Sequence, residues 1–140
     1  MNVLYTAEAL STGGGRDGHV RSTDGYVDLD LAVPESMGGA GNGANPEELF
    51  AAGFAACFHS AVRGVARDRK VSVADSTVGG RVSIGPNDEG GFQLAVLLEV
   101  ALPGVPSDVA RELADAAHKV CPYSNATRGN IDVTINVVED

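Results

Sequence analysis

Val27, Leu29, Leu31 and Val33 alternate with Asp28, Asp30 and Ala32, a period of two that predicts a strand with one buried face. Val3 to Leu10 predicts an earlier strand and His19 to Ser22 a short one. Between them "STGGGRDG" (Ser11 to Gly18) is a glycine-rich loop, so Arg16 sits on a turn. With a hairpin signal at Asp24-Gly25, the N-terminal third reads as an antiparallel meander. Val78 to Ile84, the turn "GPNDEGG", and a long strand carrying Phe92, Leu94, Val96, Leu98, Val100 and Leu102 predict a second hairpin. Ile131, Val133, Ile135 and Val137 predict a last strand.

Two segments switch to helical spacing. After a flexible connector without apolar periodicity (Pro34 to Ala44), Asn45 supplies an N-cap, Pro46 a first-turn proline, and Glu47 and Glu48 two first-turn acids. The helix runs to about Arg69. Leu49, Phe50, Gly53, Phe54, Cys57, Ala61, Gly64 and Val65 share one broad face. Gly53 and Gly64 each cost about 1 kcal/mol of helix propensity against alanine, which predicts close approach of another backbone at that face. The second helix, "PSDVARELADAAHKV", has Ser107 as N-cap and Ala110, Leu113, Ala117 and Val120 on one face. Pro122 disfavours helical geometry at Cys121, so this helix ends at the thiol. The order βββ, α, ββ, α, β predicts an α+β fold with meander sheets.

Composition narrows the setting. The 140 residues suit one domain, 1–140; 44% hydrophobic and 21% charged residues suit a folded soluble chain. No apolar run approaches the ~20 residues of a membrane span. The start "MNVLYTAEAL" lacks an export signal, so a cytoplasmic location is expected. A net charge of -9 repels phosphate backbones and argues against nucleic-acid partners. Two cysteines without C-x-x-C spacing form neither a disulfide scaffold nor half a familiar zinc site.

The candidate chemistry centres on the cysteines. The glycine-rich connector lacks the spacing of a phosphate loop. His59 lies two residues from Cys57 on a helix and points to a different side. His118, three residues before Cys121, reads as a partly exposed helix histidine, and His19 has no evident partner. The histidines and cysteines lack metal-site spacing, and Asn125-Ala126-Thr127 reads as turn chemistry. Cys57 as a small buried hydrophobe and Cys121 as an incidental helix end remain open. A catalytic Cys57 needs a cation to offset the rise in thiol pKa that burial causes. Arg16 is the candidate, with Glu47 or Glu48 as its bidentate partner. Glu47 lies ten residues before Cys57, ~15 Å along a straight helix, so sharing Arg16 requires a break near Gly53 or a turn folded back over the cysteine.

"GGRDG" (Gly14 to Gly18), "NPEELFAAGFAACF" (Asn45 to Phe58) and "VCPYSNATRGNIDV" (Val120 to Val133) occur in this order across the chain. In these segments the chain resembles the organic hydroperoxide resistance (Ohr) branch of the OsmC/Ohr superfamily. The resemblance implies an α+β OsmC/Ohr-like fold, antiparallel sheets wrapped around two central helices in an intertwined homodimer, with the site near the subunit interface and Arg16 reaching it by chain exchange. It implies a thiol peroxidase in which Cys57 matches the peroxidatic and Cys121 the resolving cysteine, Arg16 the arginine, and Glu47, not Glu48, the glutamate. An apolar pocket with Leu49, Phe50, Phe54 and Phe58 as candidate lining is then expected to favour organic and fatty-acid hydroperoxides. The implied reductant is a dihydrolipoyl-bearing partner protein, with no bound metal, flavin or haem. Cys121 at a helix C-terminus fits the resolving role, because the negative end of the dipole opposes a thiolate. The glycines around Arg16 allow a swung-out position during reduction. A cysteine redox sensor and a non-enzymatic dimer holding an apolar ligand are the alternatives.

Overall fold

The computed structural model describes residues 1–138. Its elements are β1 (Ala9–Thr12), β2 (His19–Ser22), β3 (Asp28–Asp30), α1 (Pro46–Asp68), β4 (Thr77–Pro86), β5 (Phe92–Ala101), α2 (Ser107–Val120), α3 (Pro122–Thr127) and β6 (Val133–Val138). The chain divides into two compact units, Met1–Leu49 and Phe50–Asp140.

The first unit holds the meander β1-β2-β3, antiparallel throughout, with Thr12 opposite His19 and Arg21 opposite Asp28. Its first strand is shorter than the periodicity predicts: it begins at Ala9, while Val3, Leu4 and Tyr5 lie outside any strand and are exposed. The strand expected over Val27 to Val33 is also cut back, to Asp28–Asp30, and the segment that follows returns to pair along its outer edge. Ala32 N–H donates to the Ala44 carbonyl and Ala44 N–H to the Asp30 carbonyl, and Leu31 bridges Ala44 in parallel. The expected flexible connector is therefore a hydrogen-bonded loop, with a single 3-10 turn at Glu35–Met37 closed by left-handed Gly38.

In the second unit, β4 and β5 form a ten-residue antiparallel ladder from Thr77 opposite Ala101 to Pro86 opposite Phe92. The last strand departs from expectation. β6 pairs parallel to β5, Val96 beside Val133, because the chain returns through α2 and α3 and not through a tight turn. Phe54, Phe58, Val62 and Ala66 recur every four residues along α1, are fully buried, and pack with Val96, Leu98 and Val100 of β5 and Leu113, Ala114 and Ala117 of α2. The opposite side of α1 leaves Ala52, Ala56 and Ser60 exposed. An 18-residue window of α1 has mean hydropathy 1.4, so by length and composition alone the helix could cross a membrane, although no uninterrupted apolar run in it approaches ~20 residues. One buried row and a first turn carrying Glu47 and Glu48 are the pattern of a core helix.

Close backbone approach to α1 comes from the sheet. A Cβ on Gly80 of β4 would lie 2.8 Å from the Ala51 carbonyl oxygen, whereas a Cβ on Gly53 would meet the Tyr123 ring and one on Gly64 the Arg67 side chain at 3.8 Å. α2 starts one residue earlier than expected: Pro106 is the N-cap, Ser107 is already helical, and no side chain caps the end. The turn expected at Asn125 to Thr127 is the second half of α3.

Candidate active site

Arg16 sits in a single 3-10 turn, Gly15–Asp17, between β1 and β2. Gly15 has φ +66°, and any Cβ on Gly18 would stand 2.1 Å from the Thr12 carbonyl oxygen, so glycine is required at both positions. Asp17 Oδ1 accepts the Val33 N–H at 2.9 Å, tying the turn to the chain after β3. The guanidinium then donates from Nη1 to Glu47 Oε2 and from Nη2 to Glu47 Oε1, both at 2.8 Å. This parallel fork holds the Glu47 carboxyl below its ordinary range and raises Arg16.

The neighbouring acid has a different task. Glu48 N–H donates to Asn45 Oδ1 at 2.8 Å, and Asn45 Nδ2 donates back to Glu48 Oε1 at 2.6 Å. Asn45 and Glu48 thus close a reciprocal cap on the first turn of α1. That decides the choice between the two acids: Glu48 is occupied by the helix end, and Glu47 holds the arginine.

The two cysteines meet in the second unit. Cys121 Sγ lies 3.7 Å from Cys57 Sγ; both are free thiols, Cys121 fully buried and Cys57 partly so. Burial pushes the Cys57 thiol up and the adjacent Cys121 adds to the rise, while the Tyr123 backbone N–H opposes it by hydrogen bonding to the sulfur. α3 explains that donor. Its first residue, Pro122, has no N–H, so the first amide the helix offers is that of Tyr123.

Cys121 is both the C-cap of α2 and the N-cap of α3. The expected placement of Cys121 at a helix C-terminus is present, and the start of a second helix adjoins it on the other side. α1 is also unbroken from Pro46 to Asp68, so the break near Gly53 does not occur.

The candidate pocket residues separate. Phe50 and Phe54 form a three-ring cluster with Tyr123, centroids 5.6–6.1 Å apart, and Gly53 leaves the space the tyrosine fills. Phe58, fully buried like Phe54, belongs to the core cluster outside this ring trio. Leu49, half-buried, belongs to the first unit.

The family model described as OsmC-like protein matches residues 39–136. Over 137 residues the sequence is 49% identical to the organic hydroperoxide resistance protein of Xanthomonas axonopodis pv. citri, covering 96% of this chain and 95% of the relative. The chain belongs to the organic hydroperoxide resistance branch of the OsmC-like family. This OsmC-like chain is also similar to the crystal structure of an organic hydroperoxide resistance protein from Legionella pneumophila, with TM-score 0.94 and 48% identity over 99% of this chain and 100% of that one. A second such structure, from Elizabethkingia anophelis, gives TM-score 0.95 and 47% identity over 100% of both chains.

The histidines of the OsmC-like chain have partners that spacing did not reveal. His59 Nε2 lies 2.8 Å from Ser76 Oγ, in keeping with its placement away from the Cys57 side of the helix. His118 bonds Ser124 through Nδ1 at 2.8 Å. His19 has two carboxylate partners, Asp30 at Nδ1 (2.7 Å) and Asp28 at Nε2 (2.5 Å). Carboxylates on both ring nitrogens require the imidazolium, which raises the His19 pKa. Among the described residues no group of three or more histidine, cysteine or acidic side chains is placed to hold a metal. The feature that sequence reasoning missed is Tyr123, whose amide lowers the Cys57 thiol pKa and whose ring packs on Phe50 and Phe54; its signal was proline directly after cysteine, the mark of a new helix start.

Proposed function

We propose that the protein is a thiol peroxidase that reduces organic hydroperoxides to alcohols, the activity suggested by relatives named for organic hydroperoxide resistance. The observation that carries the reading is the pair of free sulfurs 3.7 Å apart. A disulfide needs about 2.05 Å, a small shift of side chains already facing one another.

In this reading the Cys57 thiolate attacks the distal peroxide oxygen. The O–O bond breaks, the alkoxide leaves and takes a proton to become the alcohol, and Cys57 becomes a sulfenic acid. Cys121, as thiolate, then attacks the Cys57 sulfur; the S–O bond breaks, hydroxide leaves as water, and the Cys57–Cys121 disulfide forms. A dihydrolipoyl group on a partner protein returns two electrons to the disulfide, and no bound cofactor takes part. The Tyr123 amide contributes to thiolate stabilisation, and Arg16, aimed by Glu47, stabilises thiolate and departing alkoxide. The protein acts as a homodimer in which chain exchange brings Arg16 to the thiols. The exposed Ala52, Ala56 and Ser60 side of α1 supports helix packing between copies. Phe50, Phe54 and Tyr123 form the apolar wall for bulky substrates, and Phe58 packs in the core.

Stopped-flow consumption of cumene hydroperoxide by the reduced protein tests the reading. Fast wild-type consumption, none by Cys57→Ser, and a single turnover by Cys121→Ser that leaves a dimedone-trappable sulfenic acid are expected. A wild type no faster than a free thiol would overturn it, and would favour a sensor or ligand-binding role for the same fold.

A further inference from the structure

The junction that carries Cys121 is held by side chains outside the reacting set. α2 ends and α3 begins on one residue, so Cys121 has extended backbone (φ -64°, ψ 123°) between two helices. Its N–H closes the last turn of α2 on the Ala117 carbonyl, and its carbonyl accepts the first α3 bond from Asn125 N–H. Those bonds fix each helix separately but not the angle between them.

Three groups fix the angle. His118, in the last turn of α2, bonds Ser124 Oγ in the first turn of α3 at 2.8 Å. Ser124 is fully buried, so its hydroxyl needs a protein partner, and His118 is the side-chain partner it has among the described residues. Arg128, at the C-cap of α3, reaches back to the His118 carbonyl through Nη2 and to Asn125 Oδ1 through Nη1 at 2.8 Å. The elbow sets two things at once: where the Cys121 sulfur lies, and where the Tyr123 N–H points.

We propose that His118 and Ser124 are positioning residues for the thiol pair, their hydrogen bond locking the α2–α3 elbow that presents Cys121 to Cys57. The inference deepens the peroxidase reading but is tested without peroxide. In a glutathione redox buffer, one protein thiolate opens the S–S bond of oxidised glutathione to a mixed disulfide. The second protein thiol displaces the remaining glutathione, and two molecules of reduced glutathione carry away the two electrons and two protons. The equilibrium constant is the effective concentration of one cysteine at the other.

His118→Leu and Ser124→Ala are expected to lower that effective concentration by about tenfold, the scale of one lost buried hydrogen bond. His118→Asn, which keeps a polar atom near the Nδ1 position, restores most of it. Ser124→Ala, the removal of one oxygen, carries the decision if His118→Leu does not fold. Values within about twofold of the wild type in Ser124→Ala, or a fall in Tm with the effective concentration unchanged, overturn the inference, as does a wild type that forms no Cys57–Cys121 disulfide. A wild type that equilibrates and variants that shift as stated, with no cumene hydroperoxide consumption by any, support the elbow and count against the peroxidase reading alone.

Discussion

Arg16 and Glu47, 31 residues apart in sequence, are joined by two parallel 2.8 Å hydrogen bonds that fix the plane of the guanidinium. The carboxylate can take this role because Asn45 and Glu48 cap the helix between themselves. Lysine cannot reproduce a planar fork. Arg16→Lys is therefore expected to lose on the order of 100-fold in kcat/KM for cumene hydroperoxide, and Glu47→Gln about tenfold, measured by steady-state turnover with a dithiol reductant. Equal rates in wild type and Arg16→Lys would remove the arginine from the mechanism.

The same pair gives an acid limb. Glu47 has a folded-state pKa held below its ordinary 4.5 by Arg16. Its contribution to stability is complete above that unfolded value and is lost as pH falls through the depressed one. Denaturant melts of wild type and Glu47→Gln are expected to converge as pH drops below about 4.

His19 and His118 are expected to titrate on opposite sides of 6.5. His19, between two carboxylates, is raised, so its contribution is present below 6.5 and is lost as pH rises through its folded pKa. His118 is lowered, first by burial and then by Arg128, with Arg111 adding and Asp115 opposing. The folded protein therefore resists protonating it, and stability falls as pH drops from 6.5 toward its folded value. Imidazole NMR shifts followed against pH read both directly. A His118 midpoint above that of His19 contradicts the structure.

Phe50 and Phe58 separate binding from packing. Phe58 is fully buried, so Phe58→Ala is expected to cost about 3–5 kcal/mol of stability. Phe50, partly buried beside Phe54 and Tyr123, is expected to affect the KM for cumene hydroperoxide severalfold at a smaller stability cost. Urea melts and substrate-saturation curves on the two variants check the division.

Elements with a single dominant pattern were legible. The limits of α1 within a residue, and the presence of the β4–β5 hairpin and β6, came from periodicity, capping residues and turns, all of them local. What sequence could not supply was pairing between distant segments. Ala44, far along the chain, pairs the outer edge beside Asp30 and Ala32, and α2 and α3 decide that β6 arrives parallel. At the site, resemblance singled out Arg16, Glu47, Cys57 and Cys121, but not why Glu47 and not Glu48 is available, which rests on the Asn45 cap. Tyr123 and Ser124 escaped because a six-residue helix has too little periodicity to register.

Cys121 belongs to two helices with no residue between them, so this junction fixes chain length as well as chemistry. An extra residue inserted at Asn87–Gly91, in the β4–β5 turn, lengthens a surface loop. One inserted on either side of Cys121 rotates a helix by about 100° and swings the sulfur away from Cys57. Homologous chains that vary in length are thus expected to hold this joint free of insertions and deletions, and to take up the difference in their hairpins.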